Sequence, residues 1–366
     1  MPETLRTPLA FIIVISILVF IHELGHYVAA RWAGVHAEVF SIGFGKALWQ
    51  RTDKRGTVWK IGWLPLGGYV KMHGQERPED VPEAERANWR IEHTFHHKSL
   101  GRRAVVVAAG PIANFLLAIV LFAGLFLVSG RPSVEPVVGG LAAGGPAERA
   151  GMMVGDRILA IDGISVDSFG DIKRRISPRA GQETDILLSR EGREQMIKAN
   201  LGVQGDGPKA VGLLGISGSK TVFVSLSPWE ALIGGVAQSW QVGDETLGAL
   251  WQMISGQRGA ADLGGPLRIA QLSGEMAQHG PANLISFIAV ISVNLGLINL
   301  FPIPVLDGGH LLFFLAEAIR GRPLPPLAVE YCFRAGLAVL AGLFVFATWN
   351  DVTHLGWFTW LAKMLG

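Results

Sequence analysis

Apolar positions in this chain gather into long runs, with polar positions in blocks between them. Four runs reach the roughly 20 residues needed to cross a bilayer core. They are about 8–30, 104–128 ("AVVVAAGPIANFLLAIVLFAGLFLV"), 283–301 ("NLISFIAVISVNLGLINLF") and 328–348 ("AVEYCFRAGLAVLAGLFVFAT"). Glu330 and Arg334 weaken the start of the fourth. Trp349, Trp357 and Trp360 follow it, as in an interfacial aromatic belt. The first run has the outline of a signal peptide, with Arg6, an apolar stretch and then "VAA". Its length and the three spans after it favour a retained helix. The pattern predicts a polytopic α-helical membrane protein with four transmembrane helices.

Between the spans the periodicity changes. Residues 35–103 hold two strand-like stretches, "AEVFSIGFGKALWQ" and "TVWKIGWLPLGGYVKM", around the polar turn "RTDKRG". Trp59, Ile61 and Trp63 share one face at period two, which predicts a β-hairpin, and residues 74–100 read as a polar loop. Residues 131–222 read as a β-rich module with helices at "PAERAG" and "FGDIKRRI". Its order, and "AGMMVGDRILAIDGISV" above all, resembles a PDZ domain. PDZ domains bind extended peptides by strand addition, here beside the glycine-rich stretch Val138, Gly139, Gly140 and Leu141. A spacer with a closed groove would read the same way. Within 223–282, residues 228–257 carry apolar residues at helical spacing with Trp229, Trp240 and Trp251. They fit an amphipathic helix or helix pair on the outer membrane surface, or a stripe packed on the module or the spans. Residues 349–366 form an interfacial tail.

Composition supports the membrane reading: 49% of residues are hydrophobic and 17% charged, against about 25% charged in soluble domains. The net charge of +2 gives no reason to expect a nucleic-acid partner. Cys332 is the single cysteine, which excludes an intramolecular disulfide and a cysteine-based zinc site. Residues 31–103 carry thirteen Lys and Arg, whereas Arg6 alone precedes the first span. The positive-inside rule therefore puts this loop in the cytoplasm and 131–282 outside, its fourteen basic residues notwithstanding, because long loops translocate largely regardless of charge.

Candidate chemistry lies inside the first span. "FIHELGHYVAAR" places His22, Glu23 and His26 in an apolar helix, where each ionisable group costs at least about 2.5–3.5 kcal/mol. His22 and His26, four residues apart, face one point, and H-E-x-x-H supplies two zinc ligands and a general base. Histidines can serve as packing glue between membrane helices, but a chance match of this pattern must also overcome the cost of burying polar groups in a membrane helix. The extended soluble pattern fails, because Ala29 and Trp32 stand where it requires Gly and His. A third ligand must come from elsewhere. "NLFPIPVLDGGHLLFF" offers Asp307, with His310 as rival, in a stretch broken by Pro302 and Pro304 and kept irregular by Gly308 and Gly309.

These motifs, with "GPIANF" in the second span, "SIGFGKAL" after the first and "LGGPLRIA" before the third, resemble the site-2 protease family of intramembrane zinc metalloproteases. The resemblance covers essentially the whole chain, in a single-PDZ form, whereas the best-known enzyme of this type carries two tandem PDZ modules. It implies His22, His26 and Asp307 as ligands of one Zn2+ and Glu23 as catalytic base. It implies substrate contacts at Asn299, Pro302 and Pro304 and at Gly43, Phe44 and Gly45, and a re-entrant β-loop over 36–72. It further implies a bacterial inner-membrane endopeptidase, its PDZ module external, meeting membrane lipid and cutting single-span proteins pre-cleaved by a site-1 protease. Anti-sigma factors and signal-peptide remnants are the substrates the resemblance suggests. A non-catalytic PDZ scaffold, or an ion-coupled transporter using Asn294, Asn299 and Asp307, are the rival readings.

Overall fold

Each apolar run becomes a helix. In the computed structural model, which describes residues 3–75, 81–83, 89–205, 207, 210–257 and 264–354, α1 spans Glu3–Trp32. Trp357, Trp360 and most of the expected tail lie outside the described residues, as does Leu263 of "LGGPLRIA". Among the described residues, four helices are long and apolar enough to cross a membrane: Leu5–Trp32, Leu100–Ser129, Pro281–Asn299 and Pro326–Thr353. The second begins four residues before the expected 104, because Leu100 to Arg103 form a polar first turn that hydropathy does not mark.

The chain divides into two units, Met1–Leu125 with Leu232–Gly366, and Phe126–Ala231. In the first, β1 (Ala37–Thr52) and β2 (Val58–Met72) are joined by a turn in which Asp53 accepts from the backbone N–H of Arg55 and Thr57. This is more than the expected hairpin. Both strands fold back, so residues 39–42 lie between 58–61 on one side and 68–71 on the other. Gly43 and Gly45, with φ near +80°, make the bend in β1 that an L-side chain resists. Trp59 stacks on Phe40 and meets Tyr27 of α1, while Ile61 and Trp63 stay exposed. The three period-two residues therefore do not share one environment.

α2 (Leu100–Ser129) crosses α1 where Gly25 lies against the Ala109 carbonyl and Ala113, a spacing no side chain permits. Val14 and Leu18 of α1 are fully buried beside Ile288.

The second unit is β-rich. Within it lie β3 (Arg131–Val134), β4 (Val138–Leu141), α3 (Pro146–Arg149), β5 (Arg157–Ile161), β6 (Ile164–Ser165), α4 (Phe169–Ile176), β7 (Glu183–Arg190) and β8 (Arg193–Asn200). Short strands β9 (Gly202–Gln204), β10 (Val211–Leu213), β11 (Ile216–Gly218) and β12 (Thr221–Val224) follow. The main sheet runs β6-β5-β7-β8, and Ile158, Ile161, Ile186 and Leu188 form its buried centre. Ser168 caps α4 in a reciprocal capping box with Asp171. The stretch expected to form the peptide groove is β4. β4 pairs with β11, Val138 is buried in the core, and its N–H and C=O bond Asp156 and Gly155. Val138–Leu141 thus has one edge taken by its own chain, and Gly139 is pressed against Gly218.

Back in the first unit, α5 (Pro228–Ile254) is one helix and not a pair. Gly235 packs on Ile119 and Ala123 of α2, so a face of small residues, and not the tryptophan stripe, meets the spans. Trp229, Trp240 and Trp251, each eleven residues apart, form an exposed stripe. α6 (Pro266–Gln278) lies on α1, with Gly274 against Thr7, and the Asp351 carboxylate accepts from the N–H groups of Gly265 and Arg268 at its start. α7 (Pro281–Asn299) accepts a hydrogen bond from α5, Thr246 Oγ1 donating to Asn294 Oδ1 at 2.8 Å.

The chain then breaks over 300–306 and resumes as α8 (Asp307–Arg320), followed by α9 (Pro326–His354). The break is shorter than expected. Gly308 and Gly309 are helical and buried, and without side chains they let the first turn of α8 sit against the carbonyls of Leu300, Phe301 and Ile303. Val305, a β-branched residue at φ +98°, carries the strain of the turn.

Candidate metal centre

Three side chains from two distant parts of the sequence converge beside this break. His22 and His26 reach it from one face of α1, and Asp307 from the first position of α8. His22 Nε2 lies 3.2 Å from His26 Nε2 and 3.2 Å from Asp307 Oδ2, and His26 Nε2 lies 3.5 Å from the same oxygen. Ligands at about 2.0–2.1 Å from a tetrahedral zinc stand about 3.3 Å apart, so the triangle has the required size. Its chemistry fits as well. Two imidazole nitrogens and a carboxylate present lone pairs to one another, and Asp307 Oδ2 is buried without a hydrogen-bond partner. A cation between them satisfies all three.

The remaining imidazole nitrogens are held from α2. His26 Nδ1 donates to the Val106 carbonyl at 2.9 Å. His22 Nδ1 lies 3.1 Å from the Asn114 side-chain amide, which is fully buried. With Nε2 turned to the metal, His22 carries its proton on Nδ1, so the acceptor must be the amide oxygen. Rotating the amide by half a turn achieves this and also gives Asn114 Oδ1, otherwise unpartnered, its bond. The Asn114 carbonyl accepts from Ser292 of α7 at 2.8 Å, which fixes the residue. Gly110, one turn earlier, faces both imidazoles; any Cβ there would collide with His26 and press on His22.

The centre opens on a cleft of about 1050 Å³. Glu23 lines it beside the triangle, with its side chain packed near Gly68. Gly68, Tyr69 and Val70 of β2, Asn299 of α7, and Val305, Leu306, His310 and Phe313 form other parts of the wall. His310 is outside the metal triangle and packs on Phe333 of α9. Pro302 and Pro304 shape the break without lining the cleft. Gly43, Phe44 and Gly45 stand at the bend of β1, outside the lining, although Phe44 stacks on Tyr69, which is part of it. Arg103 of α2 pairs with Glu317 of α8 at 2.7 Å and lies over Phe314, tying the cleft's two sides. Gly110 and Asn114 went unassigned from sequence. Their spacing of four within "GPIANF", on one face of an apolar helix, was the signal.

Apolar helices of spanning length beside a half-buried His-Glu-His-Asp constellation point to a membrane metalloprotease. The comparisons with known proteins agree. The family model described as Peptidase family M50 matches residues 10–343. A Rhizobium meliloti protein provisionally named a zinc metalloprotease is 42% identical, covering 94% of this chain and 96% of its own. Metalloprotease MmpA of Caulobacter vibrioides is 36% identical over 97% of each chain. The regulator of sigma-E protease RseP of Escherichia coli is 32% identical, over 94% of this chain and 98% of its own. A solved PDZ domain from Listeria monocytogenes matches 22% of this chain and 84% of its own at 20% identity, with a TM-score of 0.20. The chain belongs to peptidase family M50.

Proposed function

We propose that this protein is an intramembrane zinc endopeptidase of the site-2 type, cutting transmembrane segments of single-span proteins after a first cleavage elsewhere. The observation that carries the reading is the convergence of Asp307 on His22 and His26, which lie with Glu23 inside a candidate span. His22, His26 and Asp307 would hold one zinc ion, which supplies Lewis acidity to the scissile carbonyl. Glu23, aimed into the cleft, takes the proton of the attacking water and returns it to the leaving amine. His310 stays outside the ligand set. A substrate helix hides its peptide bonds in its own hydrogen bonds and must unwind before attack. Residues 68–70 line the cleft as an outer stretch of the sheet, paired with β1 on one side, and suit an extended substrate added as a further strand. Asn299, in the wall, offers an amide to the unwound backbone.

The setting we infer is the bacterial inner membrane, with residues 31–103 cytoplasmic and the 131–222 module, read as a PDZ domain, outside. Anti-sigma factors or signal-peptide remnants are the substrate classes that the family resemblance suggests. Metal analysis of the purified chain tests the centre. Wild type should carry about one zinc per chain, and both His22→Ala and Asp307→Ala should lose it. A metal-free wild type would favour the scaffold or transporter readings instead.

A further inference from the structure

A second cavity, of about 740 Å³, opens at the C-terminal end of α1 and shares no lining residue with the metal cleft. Three guanidinium groups (Arg31, Arg55, Arg90) and three imidazoles (His36, His73, His93) line it, from α1, the β1–β2 turn, the end of β2 and the loop before α2. Glu38 is the one carboxylate among the described lining residues, and it is already committed, to His73 Nδ1 at 2.8 Å and Lys71 Nζ at 3.3 Å. Arg31, Arg55 and Arg90 make no side-chain ion pair or hydrogen bond among the described residues. The carbonyls at the end of α1 do not offset this charge, since the N–H groups of Ala33, Val35 and Gly34 take those of Ala29, Ala30 and Arg31. Asp53, nearby, spends both oxygens on the turn backbone and the Trp59 indole.

Three arginines with no side-chain partner among the described residues line one concavity with a single, already paired carboxylate, a donor set that suits an anion. Arg presents planar pairs of donors that match phosphate oxygens. The His36 imidazole senses the same field: burial, followed by His73 and Arg31, holds it below its ordinary pKa despite Glu38. The cavity also begins where the first candidate span ends, next to Trp32, which is 71% exposed at the position of an interfacial aromatic. We propose that this cavity binds a phosphate-bearing anion, with its phosphate seated among Arg31, Arg55 and Arg90. The source is an anionic lipid headgroup or a soluble phosphate compound, and the site is independent of the protease chemistry.

The test uses the full chain and an Arg55→Gln/Arg90→Gln variant, both residues being exposed and remote from the metal cleft. One arm measures inorganic phosphate binding by equilibrium dialysis in non-ionic detergent. The other measures phosphatidylglycerol retained, by native mass spectrometry, after release from nanodiscs of phosphatidylcholine with and without phosphatidylglycerol. Wild type should bind saturably in at least one arm, and the variant should bind at least about tenfold more weakly there, with unchanged circular dichroism. Loss confined to the lipid arm identifies a headgroup; loss in the phosphate arm identifies a soluble anion. Absence of saturable binding by wild type in both arms overturns the proposal, whatever the variant does. So does a folded variant that binds as wild type does.

Discussion

Gly110 and Asn114 stand one turn apart on α2, and each meets a histidine that would hold the zinc. Gly110→Ala would drive a methyl group into the His26 ring, so its zinc affinity should fall steeply while helix content is kept, as zinc titration against a competing chelator will show. Asn114→Ala removes the acceptor that fixes the His22 tautomer. Loss of such a partner costs about 10–100-fold in metal affinity or activity, and the same titration should read a loss in that range. Asp307→Ala should lose zinc and activity together, whereas His310→Ala should keep zinc with at most a partial loss of rate. A metallated Asp307→Ala beside an empty His310→Ala would exchange their roles. The histidines and Glu23 were legible because their partners lie within one turn of helix. Asp307 was legible as a candidate from the proline-broken stretch, with His310 as rival, and the family resemblance chose between them, since nothing local joins residues 281 positions apart. Gly110 and Asn114 stayed silent because their roles depend on which face of α2 meets α1, which a hydropathy pattern does not contain.

Elements meet each other through polar contacts as much as apolar ones. Asp351, 3% exposed near the end of α9, caps the start of α6, whose own N-cap is Gly265 and supplies no side chain. Asp351→Ala should cost about 1–2 kcal/mol and raise amide exchange across the first turn of α6. In the second unit Arg190 donates to both carboxylate oxygens of Asp156, at 2.8 and 2.7 Å, and to the Gly151 carbonyl. That guanidinium, helped by the Met153 N–H, holds the Asp156 carboxyl below its usual range. A depressed carboxyl stabilises the fold fully above its unfolded value, near 3.9, and ceases to as pH falls through the folded one. Arg190→Met should therefore destabilise β5 and β7 at neutral pH, with the difference shrinking below about pH 4. Amide exchange of those strands in the full chain reads both effects. Span positions were legible to within a few residues because length and hydropathy suffice. The folded-back sheet and the helical Gly308–Gly309 were not, because strand bends and backbone packing against Leu300 and Ile303 override local propensity.

At the scale of the whole molecule, the four candidate spans alternate in direction if the chain is threaded as the Lys and Arg distribution dictates. In a Cys332→Ala background, Asp167→Cys should react with an impermeant thiol reagent applied to intact cells, and Glu83→Cys should not. The reverse labelling would invert the topology. The central claim is that a base and a metal centre in one membrane cleft cut a substrate helix, and it is tested most directly at Glu23, which lines the cleft without joining the ligand triangle. Reconstituted Glu23→Gln, assayed beside wild type for bound zinc and for cleavage of a single-span test substrate, should keep its zinc and lose cleavage. Cleavage at the wild-type rate by a zinc-loaded Glu23→Gln would contradict the account.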